Sequence, residues 1–151
     1  MAQRFRTDPG HLGQGFPIIG VNSQAFATAD PVLADTSGWL DVISTSSKVL
    51  GYATHDATMA SDNQTVATIK PSYVFAPGIL MQYTADQAAT QTDVGAYADV
   101  GTATSGSIQL NLAAGTSGQF FVLGFDPDND DSTSEIVVEV AEPQVLAFTQ
   151  D

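Results

Sequence analysis

Short apolar segments separated by turn residues run along the chain from Phe16 onward. The clearest alternation sets Ile108, Leu110 and Leu112 against Gln109 and Asn111, which predicts a half-buried strand with one wet face. Ile136, Val138 and Val140 likewise share a face opposite Val137, Glu139 and Ala141. Phe121, Leu123 and Phe125 line up against Phe120 and Val122. That strand is apolar on both faces, so it is expected to be central or to lie at an interface.

The same reading places strands at Pro17–Val21, Pro31–Ala34, Trp39–Ser44, Lys48–Thr54, Gln64–Ile69 and Ile79–Thr84. Further strands are expected at Ser107–Leu112, Gln119–Phe125, Glu135–Ala141 and Val145–Thr149. Thr-Ser-Gly recurs at 36–38, 104–106 and 116–118 with unlike flanks, which reads as three turns and not as an internal repeat. Ala85–Thr92 is the one segment with a helical turn in prospect, and it reads equally as a loop. Residues 1–15 carry Pro9, Gly10, Gly13 and Gly15 without periodicity and read as an extended arm. The expected fold is all-β, a small β-barrel or β-sandwich over residues 16–151 with an extended N-terminal arm.

Composition agrees. Charged residues make up 14% of the chain, well below the roughly 25% of ordinary soluble domains. Thr, Ser, Ala, Gly, Gln and Asn fill the gap and favour strands and tight turns. At 151 residues the chain can bury one core, and without cysteine it has no disulfide or thiolate chemistry. Its formal net charge of −13 comes from seventeen acids against Arg4, Arg6, Lys48 and Lys70. Four scattered cations do not make a phosphate-binding stripe, so nucleic acid and anionic membranes are poor partners. No run approaches the roughly 18 apolar residues of a spanning helix, and the first ten residues lack the apolar core of a signal peptide. The chain is expected to be made in the cytoplasm and used there or assembled into something larger.

Catalytic signatures fail at identifiable places. Gly13-Gln-Gly15 begins like a dinucleotide fingerprint, but Ile18 stands where the third glycine belongs. His55-Asp56 suggests a base with its orienting acid, yet neighbours on a strand point to opposite faces. His11 lies in the arm and forms no ligand pair with it. Asp126-Pro-Asp128-Asn-Asp130-Asp131 starts like a calcium loop, but Asp131 replaces the turn glycine and Val137 the bidentate glutamate. An acidic turn between two strands is the favoured reading there. Asn63-Gln-Thr65 matches a glycosylation pattern without a secretion signal. No catalytic residue, metal or cofactor is expected.

Several stretches together resemble the head-decoration (cement) proteins of tailed bacteriophages. They are Asp30-Pro-Val-Leu-Ala-Asp running on to Trp39-Leu-Asp-Val, Val49-Leu-Gly-Tyr-Ala-Thr-His-Asp-Ala, and the strand–Pro–strand unit Val66-Ala-Thr-Ile-Lys-Pro-Ser-Tyr-Val-Phe. Thr92-Asp-Val-Gly-Ala-Tyr-Ala, Phe121-Val-Leu-Gly-Phe-Asp-Pro and Ile136-Val-Val-Glu-Val continue the likeness, which covers about residues 15–148. The resemblance is one of order and texture. It implies a non-enzymatic protein on the capsid exterior of a virion, bound to the major capsid protein and to itself, often as a trimer. Candidate contact residues are Arg4, Phe5, Arg6 and Phe16 of the arm, with Trp39 and Tyr73. Loss of residues 1–15 is then expected to weaken binding without unfolding the domain. The alternative from the same residues is a carbohydrate- or receptor-binding β module of a phage fibre. A carboxylate hydrolase comes last, since nothing positions two acids together.

Overall fold

The computed structural model describes residues 3–7, 16–17, 19–35, 37–43, 48–62, 70–115, 118–125 and 135–141. Its strands are β1 Arg4–Phe5, β2 Phe16–Pro17, β3 Ala25–Phe26, β4 Pro31–Ala34, β5 Leu40–Val42, β6 Gly51–Ala53 and β7 Ala57–Thr58. Then follow β8 Ser72–Phe75, β9 Met81–Ala85, β10 Tyr97–Thr102, β11 Gln109–Gly115, β12 Phe120–Phe125 and β13 Glu135–Val140. The expected strands Gln64–Ile69 and Val145–Thr149 lie outside the described residues.

Five strands close into a barrel in the order β9-β11-β10-β12-β13, with β13 returning to β9. All its pairings are antiparallel except β11 with β9. Period-two alternation decides what fills it: Met81, Tyr83, Ala85, Ala98, Val100, Leu110, Leu112, Phe120, Val122, Ile136, Val138 and Val140 are all buried. The Tyr83 and Phe120 rings meet at 5.9 Å inside. β13 covers one edge of β9 from Met81 to Thr84, so β1 and β11 share the other, β1 at Met81–Gln82 and β11 at Thr84–Ala85.

The second sheet, β2-β8-β6-β4-β5, is antiparallel throughout, and β3 and β7 form a separate ribbon. Its buried Val32, Leu40, Tyr52 and Val74 belong to the same hydrophobic cluster as the barrel interior. Gly51 lets β6 and β8 close up, since a Cβ there would stand 2.1 Å from the Val74 carbonyl oxygen. Between β4 and β5 the Asp35 carboxyl accepts from the Ser37 and Trp39 N–H groups, and Gly38 takes a positive φ of 82°. Thr104–Gly106 turns between β10 and β11, with Gly106 at φ 78°.

Ala85–Thr92 is mostly loop: Ala85 ends β9, and a short 3-10 turn, Gln91–Asp93, overlaps its far end. β1, β3, β7, β8 and β10 fall outside the strands that periodicity predicts, although the resemblance implies a strand after Pro71. Leu123 sits in a bulge, so Gly124 pairs with Val137 and Phe125 with Ile136. Phe125 therefore shares the face of Ile136 and packs against the core instead of pointing out with Phe121.

Candidate protein-binding wall and neighbouring polar sites

Antiparallel partners share a face, so the pairings fix which side chains line the outside of the barrel. Arg4 stands opposite Gln82, Gln82 opposite Val137, Glu139 opposite Phe121, and Phe121 opposite Tyr97. The Phe121 and Tyr97 rings pack edge to face at 5.5 Å, both half-buried, and Leu123 beside them is 39% exposed. β12 is thus central in its sheet and still apolar on its outer side, as its sequence suggested. At the other end of the wall, Arg4 and Arg6 both donate to Gln82 Oε1, at 3.1 and 3.2 Å. Glu135 lies one step further, accepting from Thr84 Oγ1 at 3.1 Å.

The described part of the arm is extended and docks on its own chain. Phe5 faces the other way from Arg4 and Arg6 and meets Tyr52 edge-on at 6.2 Å. Thr7 Oγ1 accepts from the Leu80 N–H. Gln3 donates to the Asp30 carboxyl and to the Thr28 carbonyl, and its Oε1 accepts from the Ile108 N–H. Asp30 is fully buried and also accepts from Ala27 N–H, Ser105 Oγ and Gly106 N–H. This carboxyl joins the chain start, the second sheet and the β10–β11 turn. Sequence reasoning missed it, because Asp30-Pro31 looks like any turn before a strand.

Phe16 pairs with Tyr73 across β2 and β8. Tyr73 is half-buried against the core, and Trp39 is half-buried beside β5. The structure therefore brings Arg4 and Arg6 together on the wall and places Phe16, Tyr73 and Trp39 on the second sheet. A cleft of about 480 Å3 opens where β1 and β11 divide the edge of β9, lined by Gln3, Thr84, Thr102, Gly106, Ser107, Ile108 and Gln109.

His55 and Asp56 turn to different partners. His55 Nε2 donates to the Lys70 carbonyl at 2.8 Å and Nδ1 lies 3.0 Å from Thr54 Oγ1, while Asp56 accepts from Thr28 N–H and Oγ1. Among the described residues no three His, Asp or Glu side chains gather closely enough to hold a metal ion, and no helix is long and apolar enough to cross a membrane. His11, Ile18, Asn63, Thr65 and Asp126–Asp131 lie outside the described residues. No protein-family model, curated protein or solved structure matches the chain.

Proposed function

We propose that this chain is a non-enzymatic structural protein that binds the outer surface of a viral capsid and stabilises the shell. The observation that carries the reading is the apolar exterior of the closed barrel at Tyr97, Phe121 and Leu123. A barrel fills its own interior and needs no second layer there, so aromatic side chains left outside suit contact with another protein. Supporting it are the acidic charge and the order-and-texture resemblance to phage decoration proteins; on a lattice, many weak contacts add up. The partners are the major capsid protein and further copies of the chain, on the virion exterior, with neither nucleic acid nor membrane involved. Purified chain added to expanded capsids is expected to co-sediment with them and raise their melting temperature, because binding only the assembled state stabilises it. Absence of affinity for capsids would sink the reading.

The cleft beside Gln3 favours a second reading, a carbohydrate-binding module. Its hydroxyl and amide lining offers donors and acceptors without charge. Glycan-array binding without capsid binding would select it.

A further inference from the structure

His55 turns away from Asp56 and toward two hydroxyl groups. Thr54, just after β6, and Ser72, the first residue of β8, stand one step beyond the Ala53–Tyr73 pair, and the Thr54 N–H donates to the Ser72 carbonyl at 3.1 Å. Cross-strand neighbours share a face, and here the Thr54 and Ser72 hydroxyls meet at 2.5 Å. His55 Nδ1 lies 3.0 Å from Thr54 Oγ1 and 3.4 Å from Ser72 Oγ. Its other ring nitrogen, Nε2, faces the Lys70 carbonyl at 2.8 Å. A carbonyl oxygen only accepts, so Nε2 carries the proton and Nδ1 of the neutral ring is left as a base. Thr54 then donates to Nδ1 and Ser72 donates to Thr54, a relay that begins on the Ser72 oxygen.

This relay can reverse without losing a bond. Once Nδ1 has taken a proton it donates to Thr54 Oγ1, and the Thr54 hydroxyl donates to Ser72 Oγ. The Lys70 carbonyl still accepts from Nε2 and keeps the charged ring in place. A hydroxyl with a base in reach, and that base oriented by a third group, is the arrangement of an activated nucleophile. Thr54, His55 and Ser72 are all half-buried, so a small reagent can reach them.

We propose that Ser72 is a covalent modification site that accepts an acyl group from an activated ester. Ser72 Oγ bonds to the acyl carbon as the bond from that carbon to the leaving oxygen breaks. The Ser72 proton passes through Thr54 to His55 Nδ1 and on to the departing oxygen, so the products are the acylated serine and a free alcohol. Each chain takes up one acyl group at this site, which neither needs nor disturbs the binding role proposed above.

The full chain treated with p-nitrophenyl acetate, with the acetyl group located by fragment mass spectrometry, provides the test. Ser72 is expected to be acetylated at least about tenfold faster than the other serines, since a placed general base is worth roughly 100-fold or more. In urea, where the relay is gone, the preference should vanish. His55→Gln keeps an N–H for the Lys70 carbonyl but supplies no base, and Thr54→Val keeps the branched shape but cuts the relay. Each should slow Ser72 acetylation about tenfold or more with an unchanged circular dichroism spectrum, whereas Thr54→Ser should keep the wild-type rate. Acetylation of Ser72 in the folded wild type no faster than of other serines, or equally fast in His55→Gln, overturns the proposal.

Discussion

Asp30 shows how one side chain can hold three parts of a fold. Its carboxyl group accepts from Gln3, Ala27, Ser105 and Gly106, with no water-exposed surface. Asp30→Asn puts an amide N–H2 where donors already point, so at least one buried N–H or O–H loses its acceptor. The expected loss is about 2–3 kcal/mol, read from urea denaturation. Faster hydrogen exchange at the Ile108 amide should accompany it, since that N–H donates to Gln3. Tyr52 is the opposite case: its buried hydroxyl has no hydrogen-bond partner among the described residues. Tyr52→Phe should therefore leave stability unchanged or raise it by about 1 kcal/mol. Burial holds the ionisation of both Tyr52 and Tyr83 far above the ordinary tyrosine range; Glu139 adds to it at Tyr52, and Tyr52 and Asp30 at Tyr83. Both stay protonated in the fold, whereas the unfolded chain loses these protons above about pH 10. Stability is thus unaffected by these groups below that pH and falls as pH rises through it. Urea midpoints followed from neutral to alkaline pH should show the fall, and Tyr52→Phe should make it shallower.

At the scale of elements, β1 changes what an N-terminal truncation is expected to do. Arg4 and Phe5 pair with β9, Arg6 and Thr7 bond to Leu80 just before it, Phe5 covers Tyr52, and Gln3 reaches Asp30. Removing them should lower the thermal midpoint, with Phe5→Ala alone costing about 2 kcal/mol, less than the ~3–5 of a fully buried phenylalanine. An unchanged midpoint on truncation would mean that β1 adds nothing to the barrel. Gly51→Ala should cost about 3 kcal/mol or more, because the new methyl meets the backbone of β8 and a strand must move. These same elements show what the sequence made legible. β4 appears at its expected bounds, and β11 and β13 follow their alternation, because branched and long aliphatic side chains mark the buried face. β10 buries only Ala98 and Val100, too little apolar contrast to read as a strand. The wall was legible only in part. The two-sided apolarity of β12 showed in the sequence, but the meeting of Arg4, Arg6 and Gln82 depends on pairing between positions 76 or more residues apart.

For the whole molecule the deciding feature is a core that does not stop at the edge of either sheet. Barrel residues such as Tyr83 and Phe120 and second-sheet residues such as Tyr52 and Leu40 belong to one cluster. The Tyr83 hydroxyl also donates to the Ala29 carbonyl just before β4. If the second sheet unfolded first, it would expose this shared apolar surface and strip the Asp30 carboxyl of its site. Partial unfolding is therefore costly, and the described body should melt as a unit. Trp39, the sole tryptophan, lies beside β5 in the second sheet, whereas among the described residues most of the strand lies in the barrel. Tryptophan fluorescence and far-ultraviolet circular dichroism thus report on different halves. Their urea transitions are expected to coincide in midpoint and slope. A fluorescence transition at clearly lower urea would show that the second sheet opens on its own, and that the common core does not couple the two.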